Sequence, residues 1–505
     1  MLSYLDSFLN RITMYRLVLY YLIVVLATGG VLSVFGLFPF TLPNLLFSVG
    51  VILCVCWGIH TLGARLYAAH TNVESVYITA LILALIIAPV SPTDITGVWF
   101  LILASVWAMA SKYVLAIGKK HIFNPAAFGV ALAALVVDQS ATWWVGGNMS
   151  LLPFVLIGGL LIVRKIRRFD LILAFSLVSL VTIVVTAHGN TPLTAITQTL
   201  QHSSFFFLAF VMLTEPLTMP PTRISRIIYG AIVGFFFAPN IHLGSFYFTP
   251  ELALIIGNIF VYLVSPKGRY MLTLLQKKEI SLGTYEFTFA PDKPLVFRPG
   301  QYLEWTLAHS PSDARGNRRF FTVASSPTER VVRLGVKVYE SESTFKRALM
   351  ALLPGDTISA SQLSGEFVLP EDKGKKLAFI AGGIGITPFR SQVQYLLDTK
   401  DARTAVLLYS NKTAAEIAYK DVFDRAAQTI GMKTIYALTG EQSRAPGTYA
   451  GKIDSALIAR EIPDYRERLF YISGPHAMVE AFEKTLRTMG VSRFNIKTDY
   501  FPGFV

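Results

Sequence analysis

Residues 375–392 read KKLAFIAGGIGITPFRSQ, a strand, a glycine turn and a helix start in eighteen positions. Leu377–Ala381 is a short apolar run suited to a buried parallel strand, and Gly382, Gly383 and Gly385 let the backbone turn sharply with no Cβ in the way. Thr387 reads as an N-cap and Pro388 as the first helical residue, so free N–H groups at a positive helix end would face an anion such as a diphosphate. Taken alone, such a turn is equally consistent with plain loop chemistry.

Around this stretch the chain alternates strand and helix. Val406–Tyr409 is the next expected strand, with Ser410 and Lys412 after it, and Leu469–Ser473 is a later one, followed by Gly474, Pro475 and a helix to Gly490. That alternation predicts a parallel sheet covered on both faces over residues 375–505. Upstream, Met271–Glu371 reads as short strands with turns, such as Thr284–Ala290 and Val331–Tyr339, the makings of a small antiparallel barrel over 270–371.

The first half differs in kind. The 505-residue chain is 53% hydrophobic and 15% charged, and the apolar excess lies before Lys267, in runs of roughly 15–25 residues that suit a hydrocarbon core about 30 Å thick. Ten candidate spans fall at about 14–37, 45–66, 75–91, 97–116, 124–138, 150–164, 169–187, 203–219, 225–238 and 250–265. Met1–Asn10 is not basic and no small-residue cleavage site follows the first run, so the first helix is expected to be retained. With ten spans, the Lys and Arg of this half all fall on the face that carries both termini, a distribution that predicts a multi-pass protein of the cytoplasmic membrane with both ends inside. Of the net +13 charge, seven units lie in this half and six in the rest. The excess is thereby assigned to anionic lipid and phosphate-bearing ligands, with no nucleic-acid partner, since no basic run is interleaved with aromatics.

Cysteine and histidine usage narrows the chemistry. Cys54 and Cys56 are the only cysteines and point apart on a helix, which leaves no iron–sulfur set in one chain, and no metal site is expected. His60 alone lies well inside a span, so paired-histidine haem is not expected, and His60 reads as a hydrogen-bonded core residue.

Several motifs occur in one order: Arg298-Pro-Gly-Gln-Tyr302, Arg319-x-Phe321-Thr322, Pro354-Gly355-Asp356, GGIGITPF from Gly382, and Ser473-Gly474-Pro475. In this the region 270–505 resembles the ferredoxin-NADP reductase superfamily. The resemblance implies a barrel that binds FAD and a parallel-sheet subdomain that binds NADH or NADPH. It implies that Arg319 pairs with the flavin diphosphate, Phe321 lies on the isoalloxazine, Thr322 bonds near the flavin N5, and Ser343 and Thr344 open a helix at a second phosphate contact. Gly382, Gly383, Gly385, Thr387, Pro388, Gly474 and Pro475 are the implied nicotinamide-cofactor contacts, Ser473 stands beside the nicotinamide where relatives often have Cys, and Tyr500 or Phe501 lies against the flavin. The simple-cap reading of Ser343 and Thr344 stands beside the functional one.

Two polar patches interrupt the apolar half, KKHIFNPAAFGVAL at 119–132 and TEPLTMPPTRISRIIYGAIVG at 214–234. Asn124 and Pro125 suit a helix start. Glu215 is a site candidate, with capping or pairing to Arg223 or Arg226 as the alternative, and the three prolines there prevent regular helix. Over about 119–236 these patches resemble the NqrB/RnfD-like family of membrane proteins, found in the Rnf complex and in the sodium-pumping NADH:quinone reductase. The resemblance implies a polytopic all-α domain over 1–266 that holds a second flavin, FMN or riboflavin, with Asn124, Glu215 and Thr218 as polar contacts. Thr191, before Pro192 and Leu193, matches the end of that family's flavin-attachment motif, but the upstream Asp and Ser are missing, and a plain polar loop is the alternative.

The combined expectation is a membrane-bound oxidoreductase that passes electrons from cytoplasmic NAD(P)H through FAD to a membrane flavin and on to an extracytoplasmic flavoprotein. A quinone acceptor is the alternative, and a transporter with a regulatory nucleotide-binding domain is the contrasting class.

Overall fold

The computed structural model describes residues 9, 12–67, 73–117, 120–187, 191–265, 269–310, 313, 317–339, 343–401, 403–441 and 447–499. The chain forms two compact units, Met1–Gly268 and Arg269–Val505.

In the first unit four helices are long and apolar enough to cross a membrane: Met14–Val34, Leu42–Leu66, Ile95–Val114 and Phe169–Thr186. The other expected spans are shorter. Pro125–Val137 has 13 residues and Pro250–Val264 has 15, which at the α-helical rise gives about 20–22 Å against a core of about 30 Å. The run at 203–219 is no regular helix: Phe205–Phe207 passes into a π-helix at Leu208–Met212, then a 3-10 turn at Pro216–Thr218. Pro216, Pro220 and Pro221 remove the N–H groups that a continuous helix would need. Ten expected spans thus resolve into four long helices and several short or broken ones among the described residues.

Close helix approach in this unit rests on glycine. A Cβ at Gly230 would lie 2.7 Å from Leu171 O, and one at Gly234 would lie 2.6 Å from Phe175 O, so Arg223–Phe237 packs backbone to backbone on Phe169–Thr186. On the outer side of Phe169–Thr186, Leu173, Leu177, Val181 and Val185 are exposed at four-residue spacing, an apolar stripe suited to lipid.

The second unit contains two sheets. Strands β1 (Tyr270–Ser281), β2 (Thr284–Pro291), β3 (Tyr302–Thr306), β4 (Arg318–Thr322), β5 (Val332–Lys337) and β6 (Thr357–Ser364) form an antiparallel sheet in the order β4-β3-β6-β1-β2-β5. Just past β4, Ala324 N donates to Arg333 O of β5 at 2.9 Å, which draws the two edges together. Phe287, Phe289, Leu303, Trp305 and Leu334 fill its interior. The second sheet is wholly parallel: β7 (Leu377–Gly382), β8 (Ala405–Asn411), β9 (Lys433–Leu438), β10 (Thr448–Ala450), β11 (Leu469–Ser473) and β12 (Ile496–Asp499) lie in the order β10-β9-β8-β7-β11-β12. All of β7 is buried because both faces are covered: Phe379 and Ala381 meet Phe389 and Val393, whereas Ala378 and Ile380 meet the core containing Val479 and Leu486.

This strand order positions the site. The chain runs outward from β7 through β8 and β9 to β10, then returns to place β11 on the other side of β7. The carboxyl ends of β7 and β11 therefore flank a topological switch point, where open α/β sheets leave a crevice for ligands.

Candidate functional site

At the switch point two turns press together. A Cβ at Gly385 would stand 2.5 Å from Ser473 O and 2.6 Å from Gly474 Cα, and one at Gly474 would stand 2.5 Å from Met478 Cε. Gly383 has φ +51° with open space where its Cβ would go, so backbone rather than side chain faces the crevice there. A cradle that side chains would fill is thereby kept clear, a fit for a nicotinamide dinucleotide diphosphate. Ser473 is buried at the end of β11, in register with Ala381 of β7 and Asp499 of β12. Burial pushes the Asp499 carboxyl up to about 7.

One local expectation is corrected. Thr387 does not cap the helix: Gly383–Ile386 winds as a 3-10 turn, Ile386 takes the cap position, and Thr387 is the first residue of the helix Thr387–Asp398. Its hydroxyl donates back to Ile384 O at 3.3 Å. Pro388 remains in the first turn, where its missing N–H costs nothing.

On the antiparallel sheet, Arg319 and Phe321 lie two apart on β4 and both reach Phe345, at 5.2 Å from guanidinium carbon to ring and 5.9 Å between rings. Thr322 ends the strand, buried and paired with Tyr302. Ser343 caps the helix Thr344–Ala351 by accepting from Lys346 N at 3.2 Å, so its side chain has the capping role. Thr344 N donates to Asp313 Oδ2 at 3.1 Å, and Arg319 Nη2 donates to Asp313 Oδ1 at 3.3 Å. The two groups expected to hold a flavin diphosphate thus already converge on one carboxylate, which stands in for an anion there. Asp313, and His309, whose Nε2 lies 2.9 Å from Thr344 Oγ1, had no signal in the sequence. Tyr500 and Phe501 lie outside the described residues.

In the first unit Asn124, Glu215 and Thr218 come together. Asn124 Nδ2 donates to Glu215 Oε2 at 2.8 Å, Thr218 Oγ1 donates to the same oxygen at 3.1 Å, and His121 Nε2 lies 3.2 Å from Oε1. Asn124 Oδ1 also caps its helix by accepting from Ala127 N. Its backbone N–H donates to Asn258 Oδ1 at 2.7 Å, and Asn258 Nδ2 donates to Tyr229 OH at 3.2 Å. Asn258 is the lone amide in an apolar helix, and that isolation is the signal by which sequence reasoning could have found it. Glu215 keeps 23% of its side chain exposed, so the cluster presents a polar face.

Arg226, one of the two arginines considered as a partner for Glu215, instead bonds Asp170 Oδ2, through Nε at 3.0 Å and Nη2 at 2.9 Å. Thr191 is exposed and caps Pro192–His202, with its Oγ1 2.7 Å from Thr194 Oγ1. His60 Nδ1 lies 2.7 Å from Tyr113 OH, a hydrogen-bonded residue as expected. Among the described residues no group of three or more His, Cys, Asp and Glu is arranged to hold a metal.

Residues 379–484 match the oxidoreductase NAD-binding domain family. The chain is 28% identical over 201 residues to an NADPH oxidoreductase of Mycobacterium tuberculosis, which covers 39% of this chain and 50% of that protein. It is 25% identical over 238 residues to a flavohemoprotein of Oceanobacillus iheyensis, 45% of this chain and 58% of that one. It is 29% identical over 201 residues to a component of the Na(+)-translocating NADH-quinone reductase of Methylococcus capsulatus, 37% of this chain and 49% of that one. A crystal structure of an Amycolatopsis cytochrome P450 reductase aligns at a TM-score of 0.42 and 25% identity, over 46% of this chain and 71% of that one. The chain spans about half the length, or slightly more, of these curated relatives. Its C-terminal half is similar to NAD(P)H-dependent reductases, and residues 379–484 within it match an NAD-binding oxidoreductase domain.

Proposed function

We propose that the protein is a membrane-bound NAD(P)H oxidoreductase that passes electrons from cytoplasmic NAD(P)H through FAD to a flavin in the membrane half, and on to an extracytoplasmic redox partner. The observation that supports this most is the convergence of Arg319 and the Thr344 helix start on one carboxylate, in the same compact unit as the glycine cradle at the β7/β11 switch point. These are two anion-holding devices, one for each dinucleotide. FAD, when bound, supplies the capacity to accept a hydride and to release electrons singly.

The chain's own residues hold and orient. Arg319 and Thr344 hold the flavin diphosphate, Phe321 covers the ring, and Thr322 offers a polar group at the buried strand end. Gly383, Gly385 and Pro388 admit the second diphosphate at a helix start, while Ser473 and Gly474 bound the nicotinamide end. Asn124, Glu215 and Thr218 supply polar contacts for the membrane flavin.

The test uses the full chain purified in detergent. Acid extraction is expected to release FAD together with FMN or riboflavin, the spectrum to show flavin without a Soret band, and NAD(P)H to bleach it. A Soret band defeats the reading, and so does a protein that binds nicotinamide yet reduces no acceptor. In proteoliposomes free of quinone, NAD(P)H supplied on the reductase side is expected to reduce a trapped, impermeant acceptor. Failure there with rapid reduction of added quinone establishes a quinone reductase instead.

A further inference from the structure

Three consecutive side chains near the start of the helix Thr387–Asp398, the helix that closes the glycine cradle, bond neighbouring segments: Arg390 and Ser391 reach the connection between β4 and β5, and Gln392 reaches the segment after β6. Arg390 donates through Nη1 to Ala324 O at 3.1 Å and grips Glu329 with both terminal nitrogens, Nη2 to Oε1 at 3.1 Å and Nη1 to Oε2. Ser391 Oγ donates to Ser325 O at 2.6 Å, and Gln392 Nε2 donates to Phe367 O at 2.6 Å. Glu329 is itself held in place, accepting from Ser326 N at 2.6 Å and from Arg333 Nε at 2.9 Å. Arg333 is in turn braced by Glu286 across β2 and β5, at 2.5 Å.

Position in the chain gives this contact its meaning. Ala324 is two residues beyond Thr322, the strand end assigned to the flavin, and Arg390 is two residues beyond Pro388, at the start of the helix assigned to the nicotinamide cofactor. A planar fork held at three acceptors fixes direction as well as distance, which a flexible ammonium does not. Arg390 keeps only 7% of its side chain exposed, so little water competes for these bonds.

Resting on the function proposed above, we infer that Arg390 and Glu329 are a positioning pair that sets the nicotinamide cradle against the flavin strand for hydride transfer. Neither residue touches the reacting atoms. Both act by holding the Gly383–Pro388 turn at a fixed distance and angle from Thr322, and misplacement on the order of an ångström is enough to slow such a transfer by up to about a hundredfold.

The test compares full-length wild type with Arg390→Lys, which keeps the charge and loses the fork, and with Glu329→Gln, which keeps the shape. FAD content is expected to match wild type, and NAD(P)+ affinity to stay within about threefold. Flavin reduction at saturating NAD(P)H is expected to slow by about tenfold or more, and the long-wavelength nicotinamide–flavin absorbance to weaken in parallel. Amide hydrogen exchange over 383–388 is expected to accelerate in the cofactor-free protein while β1–β3 exchange is unchanged. Wild-type reduction rates and absorbance in FAD-loaded Arg390→Lys overturn the inference and leave the proposed function standing. So does a slowing accounted for by weaker nicotinamide binding alone. A wild type that retains no FAD overturns the proposed function, and this inference with it.

Discussion

Asn124 Nδ2 lies 2.8 Å from Glu215 Oε2, joining two polar patches that are 91 residues apart in an otherwise apolar half. The same carboxylate accepts from Thr218 and faces His121, so one acidic group organises side chains from several elements. Removing it would leave buried donors without an acceptor, each at a cost of about 1–3 kcal/mol. Glu215→Ala is therefore expected to lower the detergent-solubilised protein's melting temperature and to reduce the non-FAD flavin content to a minor fraction. Glu215→Gln, which preserves one acceptor, is expected to be milder in both. Unchanged flavin stoichiometry in Glu215→Ala would remove this cluster from the cofactor assignment.

Arg319 and Thr344 converge on Asp313. A charge-assisted hydrogen bond contributes roughly 1.5–3 kcal/mol, so Arg319→Ala is expected to weaken FAD retention by about tenfold to a hundredfold. Fluorescence titration of the apoprotein with FAD measures it. Wild-type affinity in that variant would count against the diphosphate assignment.

Gly383 and Gly385 are two residues apart, but the surroundings predict opposite outcomes on substitution. At Gly385 a methyl would meet backbone of Ser473 and Gly474, which cannot move aside. Gly385→Ala is expected to abolish NAD(P)H-dependent flavin reduction and to lower the module's melting temperature. At Gly383 space is open and only the left-handed φ opposes a side chain, a penalty of about 1–2 kcal/mol. Gly383→Ala is expected to remain folded with weakened nicotinamide binding. Equal behaviour of the two in binding and calorimetry would show that the turns are not packed as described.

Asp499 gives the reductase module a pH dependence of definite sign. Its carboxyl is raised by burial from 3.8 to about 7, so the folded protein binds this proton more tightly than the unfolded chain. The associated stability is complete below about pH 3.8 and is lost as pH rises through 7. Asp499→Asn is expected to raise the melting temperature relative to wild type at pH 8 and to lose that advantage by pH 4. A difference independent of pH would contradict it.

Glu329 has the opposite sign. Burial alone would raise its carboxyl, but hydrogen bonds and charge from Arg390, then Ser326 N–H and Arg333, hold it below the usual range. Its contribution is present above pH about 4.5 and is lost as pH falls through the lowered value. The wild type is therefore expected to unfold more steeply in acid than Glu329→Gln, by denaturation followed between pH 5 and 2. Parallel acid transitions would refute it.

What the sequence determined by itself was local or periodic. The strand at 377–381, the glycine turn after it and the strand at Leu469–Ser473 are legible because apolar runs and glycine act over a few neighbouring residues. Asn124, Glu215 and Thr218 stood out because polar groups and prolines are conspicuous in an otherwise apolar half. Tertiary structure decided their partners, since which carboxylate meets which amide depends on helix packing and not on spacing along the chain. It also decided that β11 returns beside β7, pressing Gly474 on Gly385, and that Arg390 meets Glu329. The cap expected at Thr387 fails for the same reason: Gly383–Ile386 winds into a 3-10 turn at the sheet's switch point, and the helix frame moves by one residue. Hydropathy marks ten apolar runs where four long helices form among the described residues, because it measures how apolar a run is, whereas proline and backbone hydrogen bonding decide how far it stays helical.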